Sequence, residues 1–436
     1  MIKKLIIVPL MSYMTWAVSL PSLVNIGLEK SSVVHKSSLD IESAKLKRDE
    51  VEASKLGSVD LVASYTRFNL PRTLAPLTPS TMRDPIAAAS VATTQNLFGT
   101  GVTYSVPLFT GFAQTADIEM TALSRQIAQS KSVLSKEQLV YNIRSLYLTI
   151  LATQEMHQAQ KSYVKRLKVL NDLIATEVRL GKKAQIDLLK AQSDYQANLS
   201  YLEIIQSNII IAKASLATLV GIKEIDRLKA ISVVVKNPNQ NIERLLRDAS
   251  QLHKIDISQL NLKKADKSIK KSGASKLPQV SLSSYYGHNY GPNDSSNVNS
   301  GDWEDERNWQ IGLNAKWNLF DFGKSDATIQ EAKIAKMKSK IDYEQTLLDL
   351  RKSLVEGSEK LKQSYTTYQS SILQLDLAKE SENIESVRYQ NDVSTLNDLL
   401  YAKSKTNLAT AKLIESKYNY QKGKYYMDYL LERGAK

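Results

Sequence analysis

A change of hydrophobic period from two to about 3.6 occurs twice in this 436-residue chain, and it restricts the fold more than any other feature. In Trp309–Gly323, the residues Ile311, Leu313, Ala315, Trp317 and Leu319 fall on one face of an extended chain. Gly312, Asn314, Lys316 and Asn318 fall on the other. Strict alternation of this kind predicts a strand with one apolar and one wet side. After Gly323 the period turns helical for about sixty-five residues. The same switch occurs 211 positions earlier, where Val102, Tyr104, Val106 and Leu108 alternate before Phe109-Thr-Gly-Phe112. That register carries Gly101 onto Gly312, Leu108 onto Leu319, Leu139 onto Leu350 and Asp187 onto Asp398, and it reaches Leu219 and Leu430 without a gap. Chance does not match so long a span at one offset, so the chain is a tandem duplication.

Proline gives the coarse map. Pro71, Pro76, Pro79 and Pro85 crowd one stretch, and no proline lies between Pro107 and Pro238 or after Pro292. Two such blocks permit long uninterrupted helices. The first repeat, residues 20–230, reads as a helix from Leu28 to about Lys55, strands at about 61–68 and 100–109 around a polar loop, a long helix to about Glu177, a break at 178–183 and a return helix to about Val220. The second, residues 231–436, reads as a helix from Ile242 to about Ser272, strands at about 280–289 and 309–320, a long helix, a break at 389–394 and a return helix to about Leu431. Leu139, Ile143, Leu146 and Ile150 step four, three, four, and Tyr163, Leu167, Leu170 and Ile174 repeat the step. Leu354, Leu361, Tyr365, Tyr368, Ile372 and Leu375 keep a similar seam in the second repeat. Sustained 4-3 spacing predicts coiled-coil packing, with helices ~100 Å long at 1.5 Å per residue.

The chain opens Met-Ile-Lys-Lys, continues with an apolar run to Val18 and reaches the small residues of Ala17-Val-Ser19. Residues 1–19 therefore read as a secretory signal peptide cut after Ser19. The run is shorter than the ~20 residues of a spanning helix. There is no cysteine, which excludes disulfides, thiolate metal sites and lipoprotein anchoring. The net charge of +13 is spread along Lys-rich helices without interleaved aromatics, a solvated surface and not a nucleic-acid site. His35, His157, His253 and His288 show no metal-ligand spacing, and no phosphate loop, dinucleotide fingerprint or nucleophile elbow occurs. No cofactor, metal or enzymatic chemistry is expected. The acidic run Asp302, Glu304, Asp305 and Glu306 reads as a solvated loop.

Four strands with one apolar face cannot close a barrel alone, and an open edge in lipid leaves backbone groups unpaired. Both faces are satisfied if several chains share one barrel, eight strands from a dimer or twelve from a trimer. Val102, Tyr104, Val106, Leu108, Ile311, Leu313, Trp317 and Leu319 would then face lipid. The alternative is a secreted structural coiled-coil protein or adhesin without a pore.

This order of elements resembles the TolC-like outer membrane efflux family. The strand-to-helix corners Pro107-Leu-Phe-Thr-Gly111 and Asn318-Leu-Phe-Asp-Phe-Gly323 match the family's, as do Gly181 and Asp187 at one tip, Asp398 at the other, and Lys417-Tyr-Asn-Tyr420 near the end. The resemblance implies a mainly α chain with membrane β: a homotrimer with a twelve-stranded outer-membrane barrel and a periplasmic α-barrel of antiparallel coiled-coil helices. It implies an exit duct for efflux or type I secretion, working with a periplasmic adaptor protein and an inner-membrane transporter. It assigns Asp187, Tyr389, Asp398 and Lys417 to a periplasmic gate. Ser394 stands where the family has a linking Arg, Tyr401 stands at a second acidic position, and Asp392 stands where Gly is usual. The turns Arg179-Leu180-Gly181 and Asn391-Asp392 would face the adaptor.

Overall fold

The computed structural model describes residues 17–238, 241–248, 251–295 and 301–435. Most of the expected signal peptide, residues 1–16, lies outside them. The elements in order are α1 (Leu20–Lys30), α2 (Ser32–Ala53), β1 (Ser58–Thr73), α3 (Pro79–Arg83), α4 (Pro85–Ala89), β2 (Thr93–Phe109), α5 (Ala113–Arg179), α6 (Gln185–Val220), α7 (Ile242–Asp248), α8 (His253–Gly273), β3 (Gln279–Pro292), β4 (Trp303–Lys316), α9 (Lys324–Gln390) and α10 (Leu396–Leu430). They fall into two compact units. One comprises Ile41–Ala128 and Ser258–Tyr343, and the other Met1–Asp40, Gln129–Ile257 and Glu344–Lys436.

The first unit carries one antiparallel sheet in the order β1-β2-β3-β4, open at both edges. Its strands run further outward than the apolar alternation, because ladder pairing needs backbone groups and not a greasy face. Glu304, Asp305 and Glu306, an acidic loop by composition, pair with Gly291, Tyr290 and Asn289 in β4. At its other end β4 stops at Lys316, opposite Gln279, and the preceding Pro278 has no N–H to extend the ladder. Trp317 and Leu319 therefore lie beyond the sheet, Trp317 donating through Nε1 to the carbonyl of Lys276 at 3.1 Å. The polar loop after β1 contains two single-turn helices, each with a capping side chain ahead of a proline: Thr78 before Pro79 and Asp84 before Pro85.

The second unit is helical. Leu23, Ile143, Tyr147, Leu148, Leu216 and Val220 form a core from α1, α5 and α6. Each fully buried Leu or Ile there contributes ~1.5–3 kcal/mol relative to exposure. The first helix starts earlier than its periodicity implies, at Leu20, because Ser19 caps it and Pro21 fits its first turn. It also breaks at buried Ser31, whose extended backbone separates α1 from α2. A separate cluster gathers Tyr163, Leu167, Leu170, Ile174, Ala191, Tyr389, Leu396, Leu399 and Leu400 near the two turns. A polar layer crosses the bundle, where buried Gln160 donates to Asn198 and accepts from Asn407 at 2.9 Å.

The duplication is legible in backbone angles. Phe112, Phe322, Asp392 and Glu432 are the non-glycine residues with positive φ among those described. Their 211-residue counterparts are Gly323, Gly111, Gly181 and Gly221, all with positive φ. The hydrogen bonds repeat as well. Lys182 N donates to Glu177 O at 2.8 Å, and Val393 N to Arg388 O at 2.8 Å. Ile222 N donates to Ala217 O at 2.9 Å, and Arg433 N to Asp428 O at 2.8 Å. These 6→1 closures are Schellman ends, which glycine enters most easily. At Gly221 glycine is required, since a Cβ would lie 2.8 Å from the carbonyl oxygen of Lys30. Glu432 instead uses its side chain. Its buried carboxylate accepts from His253 N at 2.8 Å, Lys254 N at 3.1 Å and His253 Nδ1 at 2.7 Å, capping α8.

Candidate functional site

The sheet separates two chemistries. Strand register puts Val59, Leu61, Val102, Tyr104, Leu282, Tyr286, Trp309, Ile311 and Leu313 on one face. Ile311 and Leu313 are each 69 % exposed, and Val102, Leu108, Trp317 and Leu319 are exposed too. Val106, expected to face lipid with them, is only 8 % exposed within the single chain; it sits on an inner strand, paired with Leu282. Tyr104 is half-buried and donates to Leu56 O at 3.0 Å. Aromatic side chains bound this face. Phe98 packs on Tyr65, Trp303 and Tyr290 with centroids 4.8, 5.2 and 5.7 Å apart. At the other end Phe109 meets Phe112 at 5.2 Å, and Phe320 meets Phe322 at 4.6 Å. Phe98 and Phe109 are eleven residues apart on β2. That is ~37 Å along a strand, which at the tilt usual in barrels would be roughly 26–30 Å in height, comparable to the ~25 Å apolar band of membrane barrels.

The other face carries Asp60, Ser64, Thr103, Tyr285, Asn289, Gln310, Asn314 and Lys316. Asn314 Nδ2 donates to Ser283 Oγ at 3.0 Å. The Tyr285 ring lies flat across this face. A Cβ on Gly101 would sit 2.6, 2.7 and 2.8 Å from its Cε2, Cζ and hydroxyl, and one on Gly287 would sit 2.5 Å from that hydroxyl. Glycine at both positions leaves room for the ring, which covers their bare backbone in turn.

At the helical turns the expected gate residues separate. Lys183, after the first turn, donates to Asp392, in the second, at 2.7 Å, and its ammonium stands 4.9 Å from the centroid of the Tyr389 ring. That hydrogen bond holds the Asp392 carboxyl below its usual range and raises the Lys183 pKa. Tyr389 is 7 % exposed, and its hydroxyl has no partner among the described residues. Burial pushes its pKa up, more than nearby Lys183 pulls it down. Asp187 lies in the first turn of α6, close enough to raise the Tyr389 pKa but without a hydrogen bond to it. Asp398 closes a capping box on α10: Thr395 Oγ1 donates to it at 2.7 Å and Thr395 N at 3.1 Å, while Asp398 N donates back at 3.3 Å. These bonds, from the hydroxyl first, lower the Asp398 pKa. Lys417 is not brought here. It donates to Glu155 at 3.1 Å, beside Tyr418, whose hydroxyl reaches the same carboxylate at 2.6 Å. On α10 it stands nineteen residues from Asp398, roughly 28 Å along the helix.

Arg179, Leu180 and Gly181 form the first turn, and Asn391 and Asp392 the second; Leu180, Gly181, Asn391 and Asp392 are exposed. No spacing in the sequence points to Lys183. Its signal was the complementary charge of Lys183 and Asp392, whose counterparts in the other repeat are Ser394 and Gly181. Among the described residues no group of three or more His, Asp or Glu side chains is placed to hold a metal ion.

The family model described as outer membrane efflux protein matches residues 23–222 and 249–424. A search of curated proteins finds no match. Solved structures with this fold include a membrane protein from Pseudomonas aeruginosa, with TM-score 0.78, 15 % identity and coverage of 94 % of this chain and 93 % of that one. The Campylobacter jejuni CmeC outer membrane channel gives TM-score 0.76, 16 % identity and coverages of 95 % and 86 %. The outer membrane protein VceC from Vibrio cholerae gives 0.75, 15 % identity and coverages of 95 % and 96 %.

Proposed function

Because the chain belongs to the outer membrane efflux protein family, we propose that it is one third of a trimeric exit duct through the outer membrane. The observation that carries this reading is the four-stranded sheet with one exposed apolar face and two open edges. Unpaired edge groups are not tolerated in hydrocarbon. Three chains joined edge to edge give a closed barrel of twelve strands, within the range such barrels occupy. The apolar face meets lipid, and the Tyr285–Asn314 face lines the water path. A second observation supports shared helices. α6 is apolar and long enough to cross a membrane, yet only 28 % of its most apolar window is buried in one chain. A neighbouring copy covering Ile204, Ile210 and Ile211 accounts for that exposure.

The duct is passive. An inner-membrane transporter supplies cargo, and a periplasmic adaptor meets the turns at Arg179–Gly181 and Asn391–Asp392. The gate lies at the same end. Asp187 and Asp398 begin the return helices, where a symmetric ring of carboxylates would favour cations. Lys183 and Asp392 tie one turn to the other in place of the Arg that Ser394 replaces. Lys417 acts away from the gate, bracing α5 against α10 through Glu155.

Reconstitution into planar bilayers tests the duct. Discrete conductance steps are expected, and an adhesin would give none. Asp398→Asn should weaken block by multivalent cations; an unchanged block curve removes Asp398 from the constriction.

A further inference from the structure

A cavity of about 590 Å³ lies beside the turns, with the Lys183–Asp392 tie and Tyr389 in its wall at one end. It runs along α5 from Lys165 to Glu177, with residues of α9 and α10 opposite. Its volume lies in the range of small-molecule sites.

The lining is sorted by chemistry along its length. At one end stand Lys165 and Arg166, and among the described residues neither has a carboxylate partner. Lys403 is also there but is held by Glu382 at 3.2 Å. In the middle lie Val169, Leu170, Leu173 and Leu399, of which Val169 and Leu173 are exposed. The turn end also carries Lys182 and Lys183, but Lys183 is held by Asp392 at 2.7 Å, and Glu177 offsets the charge of Lys182, so this end bears no net charge. Among the described residues, two buried polar atoms there lack any partner, the Tyr389 hydroxyl and Glu177 Oε2. One can donate and the other accept. Leaving both unpaired is costly, and such atoms in a native fold call for a partner. Arg166 and Glu177 are eleven residues apart on α5, so the two ends are roughly 16 Å apart.

We propose that this groove binds an amphiphilic anion bearing a hydroxyl at its far end. The anionic head pairs with Lys165 and Arg166, and the apolar body lies over Leu170, Leu173 and Leu399. The terminal hydroxyl accepts from Tyr389 and donates to Glu177. A ligand seated in this way bridges α5 to α9 and α10, the same helices that Lys183 and Asp392 link at the turns.

The test uses the full-length protein in lipid nanodiscs, titrated calorimetrically with 12-hydroxydodecanoate against empty nanodiscs as blank. Saturable binding of one molecule per chain is expected. Dodecane-1,12-diol, of matching length but uncharged, should bind at least tenfold more weakly. Replacing Lys165 and Arg166 together by Gln should cost tenfold or more, and Tyr389→Phe about three- to tenfold, the loss of one hydrogen bond. Lys190→Gln, an exposed cation on α6 outside the groove, should change nothing. Titration curves matching the blank, equal affinity for the diol, or full affinity in the Lys165/Arg166 variant would each overturn the proposal. The diol comparison needs no substitution, so it stays decisive if a variant misfolds.

Discussion

The Tyr285 ring on the wet face of the sheet allows a quantitative test of which face lines the path. In Gly101→Ala the new Cβ would lie 2.6–2.8 Å from three ring atoms, where carbon contacts prefer about 3.5–4.0 Å. The ring must move by ~1 Å or swing off the sheet. Adding a methyl to a packed site costs ~1–3 kcal/mol. Tyr285 is half-buried and can rotate outward, so the lower end applies, ~1 kcal/mol, a fall of roughly 2–4 °C in Tm. The larger effect is on flow. A phenol ring lifted from the wall narrows the water path at that level, so single-channel conductance in planar bilayers should drop. Tyr285→Ser added to Gly101→Ala removes both the clash and the obstruction, and should restore Tm and conductance together. If Gly101→Ala matches the parent in both measurements, or if the double variant recovers neither, this face does not line the path.

Asp392→Gly restores the residue present in the other repeat and removes the positive-φ side chain, while cutting the Lys183 tie. Thermal stability should hardly change while channel open time in bilayers rises; unchanged gating would show that the tie does not hold the turns. That tie also sets a pH window. The folded Asp392 carboxyl titrates below its unfolded value, so its contribution is complete above pH ~4 and fades as pH falls through the lowered value. The raised Lys183 keeps the pair intact up to about pH 10. Opening should therefore rise steeply only below pH ~4, and a midpoint near neutrality would point to other groups. Glu432→Gly should destabilise by ~1 kcal/mol despite its glycine counterpart, because the amides of His253 and Lys254 at the start of α8 lose their acceptor; calorimetry on the purified protein reads this. Val18 N donates to Arg227 O at 2.9 Å, Lys229 N to Val18 O at 3.0 Å, and Ser19 caps α1. A cut after Ser19 would discard these bonds, so the mature chain should begin no later than Val18, and intact mass showing Leu20 first would refute this.

The sequence revealed the features with a period. Alternation around Val102 and Ile311 gave the inner halves of the strands, and the proline-free blocks gave the two 67-residue helices α5 and α9. The outer halves had no such signal, because residues such as Glu304–Glu306 join the sheet through backbone bonds that composition does not record. Parity alone groups Val106 with Val102, Tyr104 and Leu108. Parity fixes a side chain's face but not its depth: Val102, Val106 and Leu108 share β2, yet only Val106 among them is buried. At the turns, local chemistry was readable and partnership was not. The start of a return helix at Asp398 is visible from its local sequence, and its carboxylate is held by Thr395 three residues away. The tie across the turns joins Lys183 and Asp392, 209 positions apart, a separation at which no spacing rule applies.

The corners where Gly181 and Asp392 sit have one backbone shape and two chemistries. A partner that grips the main chain at these ends meets two equivalent seats on every chain. A partner that senses charge meets only one, because Asp392 has no acidic twin. If a periplasmic adaptor docks at these turns, whether it binds at two copies per chain or at one reports what it recognises, form or charge. Asp392→Gly would make the two seats alike, so a change in stoichiometry on that substitution would identify charge as the cue.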